Sequence, residues 1–409
     1  MIAGFGVGIN RQRFSGGFAD SYSSRVLADG GTIESLSCVS SASTLLQQAS
    51  LLLIPSGYKA GTAYSALPNN GNGDLTWSRN STANRTNSSG VIESVGANVP
   101  RLSYMYGSCP AALLEPQRTN SILRSEEFDN AIWSKSGVTL TANAITAPDG
   151  ALTADRVQNG SIFQNVTFTN GTVYTASIWI RGTANGTTVI GTSSGAVFQS
   201  VSITTDWQRY SFTRTYSGSG EGLCVFIGSG SVKDIYIWGA QLEVGAYATT
   251  YIPTTSATAT RLADAFTRNN IYTNGLISAS GGTWYIQFRV TATERDNNST
   301  LSIGEVNNAL RIVSGLLGYT FIVSKIIAGT GTNLYFGFTG SASFIKLAIK
   351  WNGTTADVYL NGTKVVSATS FTITNLSDLM GELGSPMFIK EMALFPSPLS
   401  DTDCQTLTT

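Results

Sequence analysis

Residues 345–366 read Ile-Lys-Leu-Ala-Ile-Lys-Trp-Asn-Gly-Thr-Thr-Ala-Asp-Val-Tyr-Leu-Asn-Gly-Thr-Lys-Val-Val. Ile345, Leu347, Ile349 and Trp351 fall on one face of an extended chain, with Lys346 and Lys350 on the other, because successive strand side chains point to opposite faces. Val358 and Leu360 lead into Asn361-Gly362, the strongest short hairpin signal, since both central residues of a type I′ turn need positive φ. Thr363-Lys364-Val365-Val366 returns. The stretch is an antiparallel pair with one apolar face.

The same alternation extends outward. Trp284, Ile286, Phe288 and Val290 face one way, against Tyr285, Gln287, Arg289 and Thr291. A last strand lies around Met387–Leu394, and Ser400 with Asp403 three residues on caps a short terminal helix. Residues 261–409 therefore read as one β-sandwich. In residues 113–260, short strands recur between Gly/Asn/Ser turns. Tyr174, Ala176, Ile178 and Ile180 share a face, opposite Thr175, Ser177 and Trp179; Tyr236, Trp238, Ala240 and Leu242 alternate with Ile235 and Ile237. Short strands at regular spacing point to a second antiparallel sandwich.

Residues 1–112 lack such regularity. A stripe of Ile33, Leu36, Val39, Ala42, Leu46, Ala49 and Leu53 predicts a helix over about 32–53, capped by Thr32 and stopped by Pro55. Leu45, Leu51 and Leu52 widen its apolar face, which would pack on a neighbouring domain or on copies of itself. An extended connector follows from Tyr58 to Pro110. The expectation is a mainly β protein, two antiparallel sandwiches of jelly-roll or lectin type after an N-terminal attachment or oligomerisation region with one helix.

Composition excludes much. The 409 residues carry 25 Lys+Arg, 25 Asp+Glu and no histidine. Zero net charge without a basic cluster gives no footprint for a nucleic-acid backbone. Without histidine there is no Ser-His-Asp or Cys-His catalysis and no histidine metal site. Cys38, Cys109, Cys224 and Cys404 stand far apart with no C-x-x-C; they read as single buried thiols, with distant disulfides left open. The first residues lack the basic start of a secretory signal, and no apolar run reaches membrane-spanning length. A soluble chain made without a cleaved leader and without membrane insertion is expected.

With these segments in place, two resemblances stand out. The W-N-G…V-Y-L-N-G stretch from Trp351 to Gly362, and the ending from Ala393 through Leu399-Ser400-Asp401 to Cys404, are similar to concanavalin A-like (laminin-G-like) lectin domains. Leu114-Glu-Pro-Gln-Arg-Thr-Asn120, Ser125–Trp133, Pro148–Asp155, Trp238-Gly-Ala-Gln-Leu-Glu243 and Thr250-Tyr-Ile-Pro253 resemble a carbohydrate-binding-module-like sandwich of bacteriophage virion proteins. Ser24–Gly31 resembles the start of head- or tail-fibre chains. The resemblance implies a virion surface protein.

Reactive chemistry has weak candidates. Glucanases of the lectin-like fold carry E-x-D-x-(x)-E on one strand, and no such run is present. Glu127 with Asp129, and Glu294 with Asp296, read as solvated loop charges. Calcium could use Asp378 and Glu382, or Asp296 with Asn297, but no D-x-D-x-D-G spacing exists. Trp133, Trp179 and Trp207 are possible sugar platforms, Trp179 of interest because it opposes the aliphatic face of its strand, but a sandwich tryptophan is most often core or interface and no glycan site is assigned. No catalytic, cofactor or metal site is assigned, and no cofactor is expected. The expected function is a non-enzymatic fibre or decoration subunit, displayed on the particle, in contact with other virion proteins. Self-association, as a trimer by analogy with fibres, and host-surface polysaccharide binding are also expected. The alternatives are an architectural cement protein and a polysaccharide depolymerase.

Overall fold

The computed structural model describes residues 17–193, 198–216, 222–278, 281–291, 299–305, 308–314, 321–337, 343–371, 376–382 and 386–409. The protein is mainly β, built from antiparallel sheets. The opening hairpin folds as read: Thr355–Leu360 pairs with Thr363–Ser370, and Asn361 and Gly362 take φ of 44° and 82°. Ile345, Leu347, Ile349 and Trp351 enter the core together with Trp284, Ile286, Phe288 and Val290. The terminal helix Asp401–Thr408 is capped by Ser400, whose Oγ accepts from the Asp403 N–H at 3.0 Å.

That core lies between an eight-stranded and a ten-stranded sheet. The eight-stranded sheet is buried on its outer side too. There Tyr285, Ala348, Tyr359 and Ala393 meet the N-terminal helices and the terminal helix. A sheet covered on both faces needs apolar residues on both, which Trp284-Tyr285-Ile286 supplies.

The N-terminal region is not laid out as expected. Thr32–Ile33, Gly57–Lys59, Thr62–Ala63 and Leu75–Ser78 extend the ten-stranded sheet and join it through Ala265–Arg268. Leu51–Leu53 and Ala111–Leu114 both pair with Met387–Phe395. The second sandwich is thus assembled from the two ends of the chain, with the middle sandwich inserted between them. The way in, Arg118–Asn120, and the way out, Ala259–Arg261, pair antiparallel as a two-stranded neck.

The helix expected over 32–53 is corrected. Only Leu36–Ser40 is α-helical there, with a 3-10 turn at Leu46–Gln48. Leu51 and Leu53 enter the inter-sheet core while Leu52 points to the N-terminal layer. The wide apolar face of a helix was in fact the two faces of a strand. Serines break the helix: Ser41 Oγ donates to the Cys38 carbonyl at 2.8 Å, and the Leu46 N–H donates to Ser43 Oγ at 3.3 Å, local bonds that compete with helix continuation. The longer helix is Phe18–Ala28, which buries Tyr22 and Val26. It ends at Gly30 (φ 72°), where the Gly31 N–H donates to the Val26 carbonyl at 2.8 Å and the Gly30 N–H to Leu27 at 3.1 Å, a Schellman cap that glycine adopts without Cβ strain.

Two cysteines also depart from expectation. Cys38 and Cys109 form a disulfide across 71 residues, pinning the short helix beside the Ala111 strand. Cys224 and Cys404 are buried free thiols, each pushed up to about 12 by burial. Closing a loop of this length restricts the unfolded chain and is worth about 2–4 kcal/mol. Replacing both with serine (C38S/C109S) should lower the thermal midpoint by several degrees, as scanning calorimetry would read; an unchanged midpoint would show that the bond stabilises nothing.

Candidate functional site

The middle sandwich packs two five-stranded sheets. On the strand Val173–Gly182, Tyr174, Ala176, Ile178 and Ile180 point into its core as expected. The opposite face forms rows with Gln208–Thr215: Trp179 opposite Arg209, Ser177 opposite Ser211, Thr175 opposite Thr213. On the other side, Ser177 opposes Gln241 and Trp179 opposes Trp238, so one extra residue sits in the strand Asp234–Val244. The bulge falls at Gly239, φ 64°. It breaks the expected alternation: Ile235, Ile237, Ala240 and Leu242 share the core, whereas Trp238 turns to the other face. A Cβ on Gly239 would stand 3.2 Å from Trp179 Cδ1 and 3.4 Å from Tyr251. Glycine there lets both rings lie close to the sheet.

This outward face is the floor of a cleft of about 410 Å³ between the two sandwiches. Exposed Ser211 and Thr213 line it, the Thr213 hydroxyl paired with Thr175 Oγ1 at 2.8 Å and donating to the Ala246 carbonyl at 3.2 Å, and Trp179 lines it half-buried with Nε1 unpartnered. The far wall comes from the hairpin Ala83–Thr86 and Ile92–Val95 and from Tyr106 and Phe388, whose rings meet edge-on at 4.8 Å. The loop Ala246–Tyr251 closes one end.

Beneath the cleft, charge is buried at the neck. Asp264 receives Arg79 (2.8 Å) and Arg101, and Glu115 receives Arg101 (2.7 Å) and Arg261 (2.8 Å), all five side chains at most 3% exposed. Thr250 donates its N–H (2.8 Å) and hydroxyl (2.6 Å) to Glu115. Burial pushes the Glu115 carboxyl up, but Arg261, Arg101 and the Thr250 hydroxyl outweigh it and hold it at about 2. Glu243 accepts from the Thr249 N–H (2.6 Å), the Thr249 hydroxyl (2.7 Å) and Gln241 (3.0 Å), yet burial keeps its pKa raised.

The other sequence candidates lie elsewhere. Trp133 is buried against Phe128 at 4.7 Å and donates Nε1 to the Arg124 carbonyl, so it is core and not a platform. Trp207 is half-buried and donates to the Thr146 carbonyl at 3.1 Å. Glu127 pairs with Arg124 at 3.0 Å, beside exposed Asp129. Asp378 accepts the Asn270 N–H at 2.9 Å. Glu294, Asp296, Asn297 and the Glu382 side chain lie outside the described residues. Among the described residues no group of three or more His, Cys, Asp or Glu could hold a metal, and no helix is long and apolar enough to cross a membrane. Arg209, Ser211 and Thr213 were not singled out from sequence; their alternation about buried Phe212 was the available signal.

No family model and no curated protein matches the sequence. Among solved structures, the chain is similar to domain 4 of AbnA, an extracellular arabinanase from Geobacillus stearothermophilus in complex with arabinotriose. The identity is 13% and the TM-score 0.32, over 40% of this chain and 84% of that one. A carbohydrate-binding module of family 4 overlays at 15% identity and TM-score 0.22, over 35% of this chain and 92% of its own. A botulinum neurotoxin type C structure, described as entering cells through two ganglioside molecules, overlays at 13% identity and TM-score 0.29, over 36% of this chain and 39% of its own. Each overlay spans two fifths of the chain or less.

Removing one partner of a buried ion pair strands the other and costs about 3–5 kcal/mol. Glu115→Gln should therefore lower stability by roughly that amount in urea unfolding. Because the folded pKa of Glu115 lies below its ordinary 4.5, its stabilisation is present above pH 4.5 and is lost as pH falls toward about 2. The gap between wild type and E115Q should close over that window. A gap that stays constant from pH 6 to pH 2 would mean Glu115 is not ionised at the neck.

Proposed function

We propose that the protein is a non-enzymatic bacteriophage virion subunit, of fibre or decoration type, that binds host-surface saccharide in the cleft between its sandwiches. The observation that carries the binding reading is the cleft floor, where Trp179 stands among Ser211, Thr213 and Arg209. A ring flanked by polar side chains and a guanidinium matches the apolar face and hydroxyl rim of a pyranose. Binding without turnover is favoured by the acids present. Glu115 is the sole carboxylate lining the cleft among the described residues, and it is committed to Arg101 and Arg261. Glycoside hydrolysis needs two carboxyls flanking the bond, one of them held protonated.

The virion assignment rests on the sequence likeness, and the fold gives the motif residues a shared job: Glu115, Gln241, Glu243 and Thr250 all bond at or beside the neck. Repetition on a particle would multiply weak single-site binding. Its expected place is the particle surface, in contact with other virion proteins and self-associated.

The test is retention of the full chain on immobilised host-surface polysaccharide, with reducing ends measured in parallel. Trp179→Ala should weaken binding tenfold or more, about 1.4 kcal/mol, and no new reducing ends should appear. Unchanged retention in W179A removes the cleft as the site; no retention at all favours an architectural subunit. Turnover abolished by a single Asp or Glu substitution makes it a depolymerase.

A further inference from the structure

The cleft floor holds a cation that bonds no carboxylate among the described residues. Arg79, Arg101 and Arg261 each meet a carboxylate at 2.7–2.8 Å, and Arg85 meets Glu34 at 2.6 Å and Glu93 at 2.7 Å. Half-buried Arg209 forms no salt bridge with any described residue. Its Nη2 donates to Ser177 Oγ at 2.9 Å and its Nη1 to the Thr249 carbonyl, while Nε has no partner. These are neutral acceptors. They aim the guanidinium without cancelling its charge.

Glu243 is the acid whose field Arg209 feels most. It does not bond the guanidinium, because its oxygens are occupied by Thr249 and Gln241, and Glu115, the next nearest in effect, is taken by Arg101, Arg261 and Thr250. Burial works against the charge on Arg209, lowering its pKa. Keeping a guanidinium without a bonded counterion away from bulk water costs free energy that a bound anion would return. Cross-strand register sets it directly opposite Trp179, so their side chains lie within the reach of one sugar residue.

Resting on the glycan reading of the cleft, we infer that Arg209 selects an anionic saccharide, its acid group paired with the guanidinium while a sugar ring lies against Trp179. Arginine suits this task because its planar fork pairs carboxylate or sulfate oxygens bidentately.

Calorimetric titration of the full chain with two matched pairs tests this: trigalacturonate against its methyl ester, and 3′-sulfolactose against lactose. At least one acid should bind tenfold or more tighter than its neutral partner, and which pair does so separates carboxylate from sulfate. The preference should shrink between 50 and 500 mM salt. Arg209→Gln should bring the acid and its neutral partner to equal affinity, Arg209→Lys should keep part of the preference, and the thermal midpoint of each variant, read in parallel, separates loss of the anion contact from loss of the fold. Equal, Trp179-dependent binding of acid and neutral forms overturns the selectivity and leaves the cleft reading standing. A preference that survives in R209Q overturns the role of Arg209, and binding of no probe overturns both readings.

Discussion

The neck that joins the two sandwiches is built around five buried charges. Asp264 and Glu115 are each bridged by two guanidiniums, with Arg101 shared between them. Arg79 and Arg101 come from the N-terminal region, Glu115 precedes the strand entering the inserted sandwich, and Arg261 ends, and Asp264 follows, the one leaving it. The cluster therefore ties three segments that are remote in sequence. Such ions are expensive to desolvate, and an apolar cluster of equal volume could be as stable. What the ions add is direction: each carboxylate is held at hydrogen-bond distance by guanidiniums from different segments, a directional constraint that apolar contacts do not carry.

Local patterns carried much of the fold. Strand alternation at Trp284–Val290 and Ile345–Trp351, the Asn361-Gly362 turn and the Ser400 cap are all decided within a few residues, and all were legible. Leu51-Leu52-Leu53 was not. Three adjacent leucines fit a helix stripe as well as a strand buried on both faces, and only the partner Met392–Leu394, more than 330 residues away, resolves it. The helix at Phe18–Ala28 was hidden differently. It buries little besides Tyr22 and Val26, so its periodicity is faint, although Asp29-Gly30-Gly31 spelled out its end.

The discontinuous sandwich could not be read along the chain either. Sheet membership is a non-local property, and nothing in Leu75–Ser78 announces pairing with Ala265–Arg268. For the cleft, alternation alone placed Trp179 on the face away from its core. Its companions depended on register, which brings Arg209 opposite it, and on the Gly239 bulge, which turns Trp238 out and rests Trp179 against the backbone. Reading period two straight through Trp238-Gly-Ala-Gln241 misassigned the faces, because one extra residue inverts every side chain beyond it.

The cleft and the neck are one piece of structure. Within Ala246–Tyr251, Thr250 bonds Glu115 through its N–H and hydroxyl, Thr249 bonds Glu243 in the same two ways, and the Thr249 carbonyl accepts from Arg209. Tyr251 completes the run, its hydroxyl paired with Ser125 at 2.6 Å and with Glu126 at 2.9 Å. A loop anchored at three consecutive residues has little conformational entropy left to lose, so a ligand meeting this wall would not have to order it first. Through Thr249 and Thr250 the loop that holds the Arg209 guanidinium is bonded to the same carboxylate and arginine that lie buried at the neck.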